Sequence, residues 1–129
     1  MSEIEVDFEF KPATLKAYAK NEAEMGIKIS NKGEELLWCE AEVGVVSPLS
    51  LAHDRELELA RTRIGIIKQG GSAEKRVKLY TRPNNFPDDY KIKVTIFAYG
   101  EDGAISQRID KESIIACVEQ QEKNDQMQA

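Results

Sequence analysis

An all-β domain of about seven or eight short antiparallel strands, packed as two sheets with at most one short helix, is the fold this sequence predicts. Three observations point to it. Apolar side chains recur at every second position through most of the chain, turn-forming residues interrupt that alternation every 8 to 15 residues, and only one stretch has helix-forming composition.

Ile4, Val6, Phe8 and Phe10 alternate with Glu3, Glu5, Asp7 and Glu9, a period that lines one face of a half-buried strand and scatters around a helix. Ala23, Met25, Ile27 and Ile29 repeat the pattern and end at Asn31-Lys32-Gly33-Glu34, a turn signal. Leu37, Cys39, Ala41, Val43 and Val45 then share one parity, with Trp38, Glu40 and Glu42 on the other, before Ser47-Pro48 ends the strand. Residues 49–60 admit two readings, because Leu51, Glu56, Leu57 and Ala60 suit a helix while Leu57 and Leu59 alternate. The expectation is a helical turn or loop near 49–55 and a short strand near 56–60.

Ile64, Ile66 and Ile67 lead into Gln69-Gly70-Gly71-Ser72, after which Val77 and Leu79 alternate with Arg76, Lys78 and Tyr80, implying a strand pair around the glycines. A turn-rich stretch from Arg82 to Asp89 precedes the longest β-branched alternation: Tyr90, Ile92, Val94, Ile96 and Ala98. That segment reads as a central strand. Gly100-Glu101-Asp102-Gly103 forms a hairpin turn to a last strand holding Ile105, Ile109, Ile114, Ala116 and Val118, whose change of parity implies a bulge or break near 110–112. The domain thus occupies residues 1–118, and the polar run 119–129 reads as a disordered tail.

With 129 residues, the chain is long enough for one hydrophobic core and needs no metal or disulfide to hold it. The acidic opening lacks the basic start and apolar run of a secretory signal, and no stretch approaches about 18 apolar residues, so a cytoplasmic protein without a membrane segment is expected. Net charge is -5, distributed unevenly: residues 1–54 carry 5 basic and 11 acidic side chains, 55–93 carry 10 and 5, and 94–129 carry 3 and 7. The middle is basic.

Three segments carry a resemblance. Ile27-Lys28-Ile29-Ser30-Asn31-Lys32-Gly33 before an apolar strand, Gly70-Gly71-Ser72 before Lys75-Arg76-Val77-Lys78-Leu79, and Tyr90-Lys91-Ile92-Lys93-Val94-Thr95 before a glycine hairpin follow one another in an order similar to immunoglobulin-like sandwich modules. The kind resembled is the cell-adhesion-related (CARDB-type) module of bacteria and archaea, over residues 3–118. The resemblance implies the fold and a binding or spacer role. In that strand order Cys39 falls on the third strand and Cys117 on the last, with the 90–99 strand between them in one sheet. Strands two apart are separated by about 9.5 Å, beyond the roughly 7 Å reach of a disulfide. The two cysteines are expected to be reduced core residues.

Catalytic and cofactor chemistry has few candidates. His53 is the only imidazole, and its neighbours nominate no triad. Phosphate-loop, dinucleotide, nucleophile-elbow and zinc-protease motifs do not occur, and two cysteines with one histidine do not make up a zinc site. Asn84, Asn85, Asp88 and Asp89 lack calcium-loop spacing, and Pro87 explains them as turn residues. The expectation is a protein that is not an enzyme and holds no cofactor or metal.

The outward parity is more informative. If Ile92, Val94, Ile96 and Ala98 point inward, Phe97 and Tyr99 point outward, and Trp38 joins them on the neighbouring strand unless a bulge turns it in. Trp38, Phe97 and Tyr99 are therefore the candidate interaction residues, an aromatic patch for a protein partner of unknown identity or for a homodimer. The alternative is nucleic-acid binding by the basic segment 61–82, through Arg61, Arg63, Lys75, Arg76, Lys78 and Arg82. The acidic total argues against it, and charged strand exteriors are ordinarily solvated.

Overall fold

The computed structural model describes residues 4–119, and within them the chain forms eight strands and no helix. The expected tail, apart from Glu119, lies outside the described residues. β1 (Ile4–Lys11), β3 (Asn21–Asn31) and β6 (Ser72–Thr81) form a three-stranded antiparallel sheet in the order β1-β3-β6. β2 (Thr14–Lys16), β8 (Ile105–Val118), β7 (Asp88–Tyr99), β4 (Leu37–Gly44) and β5 (Leu59–Ile67) form the second sheet, in the order β2-β8-β7-β4-β5. This is an immunoglobulin-like sandwich.

The two-residue period produces the core directly. Met25, Ile27 and Ile29 of β3 face Leu37, Cys39, Ala41 and Val43 of β4 and Ile92, Val94, Ile96 and Ala98 of β7 across the gap between sheets, all fully buried. β7 is the central strand expected, flanked by β4 and β8. Cys39 and Cys117 are buried thiols on β4 and β8, with β7 between them as the strand order required.

Several local readings are corrected. The glycine turn at 70–71 does not join a strand pair: β5 pairs with β4, and β6 pairs with β3. Likewise β3 and β4 lie in different sheets. Turn residues mark where the chain reverses, but a four- or five-residue connection also spans the roughly 10 Å between stacked sheets. Asn31 ties the two crossings together. Its buried carboxamide donates to the carbonyls of Glu35 (2.8 Å) and Ile67 (3.0 Å) and accepts from Gly33 N (3.0 Å), while its backbone exchanges bonds with Gly70 and Gly71.

Residues 49–55 take the loop alternative without a helical turn, and the strand expected near 56–60 starts only at Leu59. Ser50 instead makes a two-bond bridge to Tyr80 on the edge of β6, its hydroxyl accepting from Leu57 N (3.0 Å) and closing the segment into a loop. β2, absent from the sequence reading, is only three residues long and pairs in parallel with the end of β8. β8 runs unbroken through 110–112; the irregularity lies further back, where Ala98 faces Gln107 and Tyr99 faces Ile105, leaving Ser106 as the extra residue. At the start of β7, Tyr90 Oη donates to the Phe86 carbonyl and accepts from Phe86 N (3.0 Å), the arrangement of a tyrosine corner.

Candidate functional site

The candidate site is the outer face of the five-stranded sheet, and strand register places its residues in rows. Trp38 on β4 faces Tyr99 on β7 and Ile66 on β5, and Tyr99 in turn faces Ile105 on β8. Ile66, Trp38, Tyr99 and Ile105 therefore cross four strands as one apolar row. Trp38 and Tyr99 stack with centroids 4.3 Å apart and planes 20° from parallel. Both rings are half-buried, whereas Ile66 and Ile105 at the ends of the row are 68% and 56% exposed.

Trp38 thus points outward, the side its parity favoured, and no bulge turns it in. Both isoleucines reach this face through bulges. In β5, Cys39 faces Gly65 while Glu40 faces Arg63, so Ile64 and Gly65 together occupy one step and Ile66 changes side. Gly65 takes φ 134°, a backbone conformation L side chains rarely adopt, which makes glycine the residue suited to the bulge. In β8 the extra Ser106 moves Ile105 opposite Tyr99. Simple alternation misses both residues; an isolated glycine inside a strand pattern was the available signal at the first.

The next row along holds Arg63, Glu40, Phe97 and Arg108. Phe97 is not a bare ring. The Arg61 guanidinium lies 4.2 Å from its centroid and that of Arg108 5.6 Å from it. Arg61 also donates from Nε to Glu40 Oε1 (3.1 Å) and from a terminal nitrogen to Tyr99 Oη (3.2 Å). Arg61 is drawn diagonally to Glu40, though its register partner is Glu42. The result is an apolar row bordered by a ring clamped between arginines, a pattern common where aromatic and arginine side chains anchor protein contacts.

The basic residues singled out as a nucleic-acid surface are divided. Arg61 and Arg63 lie on the outer face of the five-stranded sheet, while Arg76 and Lys78 share the opposite outer face with Glu24 and Glu22, to which they are paired at 3.4 and 3.0 Å. Lys75, on β6, has the other parity, and Arg82 follows that strand's end. The hydrogen bond and charge of Glu22 hold Lys78 protonated to higher pH than usual.

A groove of about 960 Å³ runs between the 47–58 loop and the edge of β6, with Lys20, Glu22, His53, Glu56, Tyr80 and Arg82 on its walls. His53 meets Tyr80 edge-on at 5.8 Å. Among the described residues, no three His, Cys, Asp or Glu side chains are grouped to hold a metal ion.

No protein-family model matches the chain, and no curated sequence matches it. Solved structures do. The chain is similar to the native conformation of E. coli alpha-2-macroglobulin, with TM-score 0.63 and 13% identity over 92% of this chain and 7% of that one. It is also similar to the structural genomics target SoR45 (TM-score 0.59, 12% identity, 90% and 88% covered) and to BslA, a bacterial hydrophobin (0.59, 10%, 93% and 97%). At these identities the likeness is one of fold, the immunoglobulin-like β-sandwich.

Proposed function

We propose that this domain is a non-enzymatic protein-interaction module whose contact surface is the row Ile66, Trp38, Tyr99 and Ile105, with Phe97 beside it. One observation carries the reading: four apolar side chains stand in register across four strands, beside a row that holds Arg63, Glu40, Phe97 and Arg108. A sheet face on which a stacked Trp and Tyr adjoin arginine side chains has the make-up of a protein contact, where Trp, Tyr and Arg anchors dominate affinity. The kinship with cell-adhesion-related modules of bacteria and archaea belongs to the same proposal, since those modules also serve as binding units.

The test is retention of cellular proteins by immobilised domain, comparing wild type with Trp38→Ala, Phe97→Glu and, on the opposite sheet, Lys28→Glu. A partner held by wild type and Lys28→Glu and lost from the other two supports the proposal, with affinity falling roughly thirtyfold if Trp38 is a central anchor worth about 2 kcal/mol. Retention unchanged by both face substitutions overturns it.

A further inference from the structure

β8 is 14 residues long, yet β2 pairs with only Ala116, Cys117 and Val118, so residues 105–115 form a sheet edge with no strand beside it among the described residues. The Val118 carbonyl accepts from Ala17 N (2.9 Å) on that side. By the alternation of an antiparallel ladder, Ile114, Glu112, Asp110 and Arg108 turn their amides and carbonyls the same way. Such an edge is a template for another strand.

The edges differ in what they accept. On β1, Glu5, Asp7 and Glu9 would set acid against acid in a symmetric pairing, and on β5, Arg61 and Arg63 would set arginine against arginine. The edge of β6 is crossed by the loop that bridges Ser50 to Tyr80. β8 is different: Arg108 and Asp110 lie one residue to either side of Ile109 and point to the same outer face. A two-fold axis through Ile109 sets each Arg108 opposite the other copy's Asp110, satisfying the self-complementarity an isologous contact needs. Both are exposed and already held on that face, Asp110 by Thr95 Oγ1 (2.8 Å) and by Arg108 (3.6 Å) within the chain. In this register Ile105, shifted by the bulge at Ser106, stands diagonally across from Ile114 of the second copy, and these two side chains are 56% and 54% exposed in one molecule.

We propose that β8 pairs antiparallel with β8 of a second copy about Ile109, joining two five-stranded sheets into one of ten strands. The axis is perpendicular to the sheet, so both Trp38–Tyr99 stacks lie on the same side of the dimer and present two copies of the apolar row to a partner. The inference rests on the sheet edge and stands apart from the function assigned to the Trp38 face.

Sedimentation velocity of the full chain at about 50 µM, where a dissociation constant in the low micromolar range leaves mostly dimer, tests it. Wild type is expected to sediment as a dimer, and Arg108→Glu and Asp110→Arg, which each place like charges opposite one another, raise the dissociation constant roughly tenfold or more. An equimolar mixture of the two variants recovers a dimer with one chain of each, seen by native mass spectrometry, because their changes are complementary only between chains. Trp38→Ala leaves the dimer intact. A monomeric wild type, a mixture no more associated than its components, or a dimer lost in Trp38→Ala and kept in both charge variants overturns the proposal; the last outcome puts the second copy on the aromatic face.

Discussion

Arg61 reaches from β5 across the whole width of β4 to place its guanidinium 4.2 Å from the ring centre of Phe97 on β7. The contact converts an aromatic ring on a solvent-facing sheet into the middle of a charged clamp, and Glu40 holds the arginine in position from beneath. Arg61→Ala should lower stability by about 1 kcal/mol, the sum of a partly exposed cation–π contact and a surface ion pair, measured by urea unfolding. Arg61→Lys should recover less than half of this, since an ammonium cannot cover the ring and bond Glu40 and Tyr99 at once.

Asn31 is 1% exposed and satisfies two carbonyls and an amide at the end where both sheet crossings pass. Asn31→Ala should cost about 2–4 kcal/mol in urea unfolding, because it leaves buried polar groups on both crossings without partners. Asn31→Asp should be no better, since an ionised carboxylate cannot donate to the carbonyls of Glu35 and Ile67. A loss under 1 kcal/mol in both would show the crossings hold without this residue.

Tyr90→Phe removes a hydroxyl that both donates to and accepts from the Phe86 backbone while keeping the buried ring. The expected loss is about 1–2 kcal/mol, with unchanged circular dichroism, and with faster amide exchange concentrated between Arg82 and Tyr90.

Burial pushes the Cys39 thiol up to about 11 from an ordinary 9.0, and raises Cys117 and Tyr90 as well. A raised folded-state value for a group that is neutral when protonated means the unfolded chain loses its proton first. Stability from these groups is therefore present below about pH 9 and declines as pH rises toward 11, the unfolded state binding fewer protons through that window. Urea midpoints measured from pH 7 to 11 should fall above pH 9, and Cys39→Ala should flatten the slope whatever it does to stability at pH 7. An identical slope in the variant would assign the decline elsewhere.

Much of the core was legible because a two-residue period is a one-dimensional property. Ile92, Val94, Ile96 and Ala98 alternate with polar neighbours in any strand, whichever strands lie beside them, and the same parity placed Trp38, Phe97 and Tyr99 outward together. Ile66 and Ile105 were not legible in the same way. Each reaches the outer face only after a bulge has reversed its parity, and a bulge is defined by two strands in register. The split of the basic residues between faces was equally hidden, since Gly70-Gly71 turns the chain identically whether the next strand pairs or crosses.

The sequence by itself determined that the chain is a β-sandwich and which side chains of its regularly alternating strands enter the core, because burial of alternate apolar groups is dictated residue by residue. Only the tertiary structure decided that Trp38 meets Tyr99, that Arg61 covers Phe97 and that, among the described residues, β2 lies beside only the last three residues of β8. Those facts depend on which strands lie side by side and in what register, and contacts between residues dozens of positions apart come from chain crossings that local alternation does not encode.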